Sequence, residues 1–229
     1  NNNPRPNVDN LSDEQKGEHV FSHGTAVAGI IGAVGNNGRD GAGINWNTKL
    51  MNIKLLGNEG FGMLDTLPEA IRYAVDNGAH VINISIVGAA DFGALTSALE
   101  YAYDAGVFVV VAAGNDGVDL EIVRQYPICS DEHASVGFVL GTSAINEDHH
   151  IAEFSNYGSN CIDITAPGVD VNSTVRYSPT NGLIDTYMTG WHGTSFATPF
   201  IAGAAALIKS VQPTWGVVEI TEAILSTVH

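Results

Sequence analysis

With 229 residues, 45% of them hydrophobic, the chain is long enough to bury one large core, and nothing in its length forces a second domain. Acidic residues outnumber basic ones 25 to 9, and the formal net charge of −16 argues against nucleic acid or an anionic membrane as partner. Apolar stretches such as Val107–Ala113 are far too short to span a bilayer.

The first twenty-two residues are polar and turn-rich, with no strand pattern. A small-residue helix is expected from His23 to about Val34, then an apolar strand over Leu50–Leu56. Helix patterns near Leu64–Asn77 and Gly93–Ala105 are each followed by glycine, Gly78 and Gly106, in the stop position. Between and after them lie strand candidates at Val81–Val87, Val107–Ala113, Gly137–Ser143 and Ile162–Ala166. The run from Phe196 to Ile208 reads as a buried helix with Pro199 tolerated in its first turn, and a last helix covers Val217–Val228. Near-continuous Val/Ile strands bounded by helices imply a parallel sheet covered on both faces, joined by right-handed crossovers. Reacting groups should gather at the C-terminal edge of such a sheet.

Three segments carry chemistry. Ser195 lies in Gly193-Thr194-Ser195-Phe196-Ala197-Thr198-Pro199, where a Gly-rich approach meets a helix N-terminus. Spare backbone N–H groups and the positive end of the helix dipole sit there, able to stabilise charge developing on an attacked carbonyl; taken alone, a helix cap explains the serine equally well. His23 opens Ser22-His23-Gly24-Thr25-Ala26-Val27-Ala28-Gly29 at the mouth of a helix. Asn115 follows the apolar strand in Ala112-Ala113-Gly114-Asn115. A lone histidine is usually structural and a lone Gly-Asn usually a turn. In this order, together with Val81-Ile82-Asn83-Ile84-Ser85, Phe154-Ser155-Asn156-Tyr157-Gly158 and Ala166-Pro167-Gly168, they closely resemble the subtilisin-like serine proteases through nearly the whole chain.

The resemblance implies an α/β, three-layer subtilisin-like fold, with a mostly parallel sheet covered by helices on both faces. It makes Ser195 the nucleophile of a serine endopeptidase, His23 its general base, and Asn115 an oxyanion donor alongside the Ser195 backbone N–H. Gly60-Phe61-Gly62 and Ser85-Ile86-Val87 correspond to the two segments that grip an extended peptide or protein substrate, and Ala112, Ala113 and Gly114 to the wall of the primary specificity pocket. Val87 stands where the family has glycine, which narrows the channel or shifts the backbone. Asp91 and Asp116 read better as solvated acids than as partners of a basic substrate residue, and Arg124 argues against dibasic specificity.

The triad aspartate is missing from the pattern. The family places it about thirty residues before the histidine, at the end of an apolar strand, whereas Asp9 and Asp13 lie at the wrong distance in the wrong setting. Together with the early stop after the last helix, this reads as an excised and inactive fragment of a larger protease. The alternatives are a non-catalytic binding or regulatory module, and a peptide cyclase or transpeptidase on the same scaffold. In the family the aspartate strand lies between the counterparts of Leu50–Leu56 and Val81–Val87. The gap is therefore expected to be filled, by closure of those strands or by a borrowed segment through self-association with a second copy.

No cofactor is required for the chemistry. The loop Asn36–Gly43 matches the length of the family loop that wraps structural calcium, with Asn37 the ligand carried over, against Arg39 as an unwelcome neighbour and an absent upstream carboxylate. Family comparison also brings Cys129 and Cys161 close, either as a disulfide or as two reduced thiols. The bond is the reading that suits the secreted or periplasmic setting the resemblance implies.

Overall fold

In the computed structural model, residues 19–57, 62, 64–90, 93–132 and 134–227 are described. Asp9, Asp13, Gly60, Phe61, Asp91 and Val228 lie outside them. Helix α1 spans His23–Gly32, α2 Leu67–Asp76 and α3 Gly93–Asp104, with strand β1, Val81–Ile84, between α2 and α3. After α3 come β2 (Phe108–Ala112), β3 (Leu140–Ile145) and β4 (Ile164–Pro167). A hairpin of β5 (Val171–Thr174) and β6 (Tyr187–Trp191) precedes the long α4 (Thr194–Val211) and the short α5 (Val217–Leu225).

β1 to β4 form one parallel sheet in chain order. Val81 pairs with Phe108, Val110 with Leu140 and Thr142 with Ile164, so successive strands step along the sheet without reversal. The period of two along β2 divides the core. Val109 and Val111 point to one face, packing with Leu67 and Ile71 of α2 and Leu95 and Leu99 of α3. Phe108 and Val110 point to the other, against Ala197, Ile201 and Ala205 of α4 and Ile220 and Ile224 of α5. All five residues of β2 are buried. The expected three layers are present, and the sheet is parallel throughout.

A third cluster seats α1 at the C-terminal edge of the sheet, where Ala26, Val27 and Ile30 pack with Val171 and Phe196. Small residues make this approach close. A Cβ on Gly29 would fall 2.1 Å from Thr174 Oγ1. The Ser173 and Thr174 hydroxyls donate to the carbonyls of Ala26 and Thr25 at 2.7 and 2.8 Å. α4 is apolar and long enough to cross a bilayer by length and composition, but half of that stretch is buried, as in a core helix.

Two expectations fail. Leu50–Leu56 forms no strand, and Leu50, Met51 and Ile53 are 43, 42 and 36% exposed. Its apolar residues resemble a strand's, but no described neighbour offers it a ladder. It has therefore not closed on β1, and among the described residues nothing pairs with β1 on the side away from β2. The hairpin β5–β6 is a feature that the polar stretch from Val171 to Trp191 did not announce.

Candidate active site

The C-terminal ends of β1 and β2 and the N-termini of α1 and α4 meet at one place. β2 runs into Ala112, Ala113 and Gly114, all buried, and then releases Asn115 at the surface. Gly114 makes that turn with φ +97°, a region that side chains rarely adopt.

The carboxamide of Asn115 is held by Thr194. Its Oδ1 accepts from the Thr194 N–H at 2.8 Å and from the Thr194 hydroxyl at 3.1 Å, while that hydroxyl accepts from the Gly114 N–H at 3.0 Å. With Oδ1 committed to two donors, the Nδ2 group is the end left to donate. Ser195 is the second residue of α4, where the backbone N–H has no acceptor within the helix. Two donors of the kind an oxyanion needs are thus supplied from two elements.

Behind them Asn156 is wholly buried and fully used. Its Oδ1 accepts from the N–H groups of Asp116 and Val118 at 3.0 and 3.1 Å, and its Nδ2 donates to Ala113 O at 2.9 Å and Gln125 Oε1 at 3.1 Å. Thr194 and Asn156 were inside motifs legible in the sequence, but only their partners reveal that they orient and fix the Asn115 turn.

His23 is the first residue of α1, and its ring lies 5.3 Å from that of Phe196, centroid to centroid, next door to Ser195. Burial holds its pKa below the ordinary 6.5, so the imidazole stays neutral, and able to accept a proton, to lower pH than a free one. The Ser195 hydroxyl donates not to His23 but to the carbonyl of Ser85 at 3.0 Å.

Ser85, Ile86 and Val87 continue from β1 as a half-buried segment, and Gly88 exchanges a pair of backbone bonds with Tyr126 at 2.9 and 2.8 Å. Opposite Gly114 the space is tight. A Cβ there would lie 2.4 Å from both Gln125 Oε1 and Asn156 Nδ2 and 3.1 Å from Val87 Cγ2. The Gln125 amide is pinned by its bond to Asp116 Oδ2 at 2.7 Å. Asp116 is therefore engaged with a neighbour, and Arg124 pairs with Glu132 and the Leu120 carbonyl. Gly62 is exposed, and its partners Gly60 and Phe61 lie outside the described residues.

Asn37 is engaged within its own loop. Its side-chain oxygen accepts from the Arg39 N–H at 3.0 Å, closing its own turn. No group of three or more imidazoles, thiolates or carboxylates suited to a metal occurs among the described residues. No step of the chemistry runs through a metal.

Cys129 and Cys161 are joined in a disulfide, with Cα atoms 5.0 Å apart, which settles the choice between bond and free thiols.

The whole chain, residues 1–229, matches the Peptidase S8 subtilase family. It belongs to that family. It is 39% identical to a thermophilic serine proteinase of Bacillus sp. strain AK1 over 189 residues, covering 82% of this chain and 43% of that protein. It is 36% identical to subtilisin BL of Lederbergia lenta over 205 residues, covering 90% and 69%. Among solved structures, proteases from Pseudoalteromonas arctica superpose with a TM-score of 0.78 at 32% identity, over 90% of this chain and 64% of theirs. This subtilase chain spans about half the length of the longer relatives it matches, 43 and 52% for the first two.

Proposed function

We propose that this chain carries the catalytic centre of a serine endopeptidase acting on peptide or protein substrates. The observation that carries the reading is the Asn115 carboxamide, clamped through its oxygen by Thr194 at the start of the helix that carries Ser195, which leaves its NH2 group free to donate. Together with the Ser195 N–H it would hold the oxyanion of a tetrahedral intermediate.

In this reading the Ser195 hydroxyl leaves the Ser85 carbonyl, turns to His23 and attacks the scissile carbonyl as His23 takes its proton. His23 then returns that proton to the departing amine. Burial keeps the imidazole neutral and ready, but it also disfavours the imidazolium formed during attack. That cation needs a carboxylate partner, which none of the described residues supplies.

An extended substrate would lie along Ser85 to Val87 and place one side chain beside the wall that Val87 and Gln125 form against Gly114. Gln125 closes that space, so a small side chain is the favoured occupant. The disulfide favours an exported protein over a cytosolic one. A Paenibacillus polymyxa relative, 39% identical, is nevertheless named an intracellular serine protease.

The test is covalent labelling. A fluorophosphonate probe should attach to Ser195 in the full-length protein, and Ser195→Ala should abolish both labelling and peptide hydrolysis. Hydrolysis at the wild-type rate in that variant would assign the chemistry to another residue.

A further inference from the structure

The carbonyl of Ser195 cannot be served by its own helix. Within an α-helix it would accept from the N–H four residues on, and that residue is Pro199, which has none. The acceptor is satisfied from the sheet instead, by the Ser85 hydroxyl at 2.9 Å. In return the Ser195 hydroxyl donates to the Ser85 carbonyl at 3.0 Å. Two serines 110 residues apart in sequence are thereby joined by two bonds of opposite direction.

One more residue stands behind this pair. Asn83 Nδ2 lies 2.9 Å from Ser85 Oγ. A carbonyl can only accept, so Ser85 spends its proton on Ser195 and its oxygen can only accept from Asn83. This fixes the amide with its NH2 toward Ser85 and Oδ1 away. Asn83 sits on β1 among Val81, Ile82 and Ile84, where another β-branched side chain would suit the strand better. Its Oδ1 is buried without a partner, so the amide is kept at a cost that its single donated bond must justify.

We propose that Asn83 is a positioning residue for the nucleophile. It orients the Ser85 hydroxyl, which holds the Ser195 carbonyl left free by Pro199 and thereby ties the first turn of α4 to the C-terminal end of β1. The functional consequence rests on Ser195 being the nucleophile; the tether does not.

Ser195-Phe196 is the only Ser-Phe step in the chain. Labelling serine carbonyls with 13C and phenylalanine nitrogens with 15N therefore gives one NMR cross-peak that reports the Ser195 carbonyl. The peak should move in Ser85→Ala and in Asn83→Ala and stay near its wild-type position in Ser85→Thr, which keeps the hydroxyl. Fluorophosphonate labelling should slow about tenfold in Ser85→Ala and about threefold in Asn83→Ala, the scale of one hydrogen bond. The double variant should label no more slowly than Ser85→Ala, because the two side chains act in series. Peptide hydrolysis should lose kcat with KM little changed. An unmoved cross-peak in both alanine variants, or losses that multiply in the double variant, would overturn the proposal. If Ser85→Ala fails to fold, the Asn83→Ala peak position decides alone. Absence of labelling in the full-length wild type would retire the protease reading, and the cross-peak would still decide the tether.

Discussion

Val107–Ala113 and Leu50–Leu56 are both short apolar runs flanked by helical patterns, yet they meet opposite fates. The first supplies β2, buried on both faces and paired on both edges. The second has no strand pairing and is exposed from Leu50 to Lys54, with Leu55 and Leu56 half-buried, although its side chains are as hydrophobic as many strand residues. A strand in a parallel sheet is made by its neighbours, because the ladder and both covering layers must be supplied by other parts of the chain. The same contrast runs through the active site. The Asn115 side, at the end of β2, is saturated with partners, while on the β1 side no described strand pairs with the outer edge.

The contrast is broken most directly by cutting volume from each run. Phe108→Ala, in the middle of the core, should cost about 3–5 kcal/mol of stability, whereas Ile53→Ala should stay within about 0.5 kcal/mol. Urea melts of the two variants check this. Equal losses would mean that residues 50–56 are packed in solution as β2 is.

The Asn115 side can be tested by function. Asn115→Leu removes a donor used mainly in the transition state, so kcat in the full-length protein should fall by about 10²–10³ while KM changes little. A loss confined to KM would make Asn115 a ground-state binding group.

A smaller effect is expected where the two sides face each other across Gly114. Gln125→Gly removes the side chain that closes this space and should move preference from small toward larger residues at the cleaved position. The gain for a larger aliphatic residue should be about tenfold in kcat/KM, the usual scale for a few methylenes in an apolar pocket. A panel of peptides differing only at that residue reads it. An unchanged ranking would place the specificity pocket elsewhere.

Much of this arrangement was legible in the sequence, for physical reasons that also explain the failures. His23, Asn115 and Ser195 stand in short local patterns because each needs a particular backbone beside it: a helix mouth, a left-handed glycine or a Pro-bearing first turn. The order of strands and helices followed from local periodicity. The clamp of Thr194 on Asn115, the fully bonded Asn156 and the exchange between Ser85 and Ser195 join residues 31 to 110 positions apart, and no local pattern records such pairings. Leu50–Leu56 failed for the same reason, since apolar content is local and a strand partner is not. The β5–β6 hairpin was missed because its alternation of buried and exposed positions relies on Ser173 and Thr174, whose hydroxyls are satisfied only by the backbone of α1.

The smallest expected effect lies at the entrance to β3, inside the saturated half. Asp131 Oδ2 accepts from the N–H groups of Phe138 and Val139 at 2.7 and 3.0 Å, and Asp163 Oδ2 from Gly141 at 2.7 Å. Those bonds favour the carboxylates, but burial outweighs them, and both pKa values are raised above the ordinary 3.8. The negative charge of Asp131 raises that of Asp163 further. A group that binds its proton more tightly in the folded state stabilises the fold when protonated. Stability therefore falls as pH rises from the ordinary carboxylate value through the raised folded one. Between neutral pH and the top of that window these two acids are a standing cost, incurred to anchor the start of a central strand. Asp163→Asn keeps an oxygen for the Gly141 N–H and removes the charge. Its melting temperature should exceed the wild type's at pH 7, and the difference should shrink as acidification protonates Asp163 in the wild type. A variant less stable than wild type at pH 7, or a difference independent of pH, would mean that the hydrogen bonds to the carboxylate outweigh its desolvation.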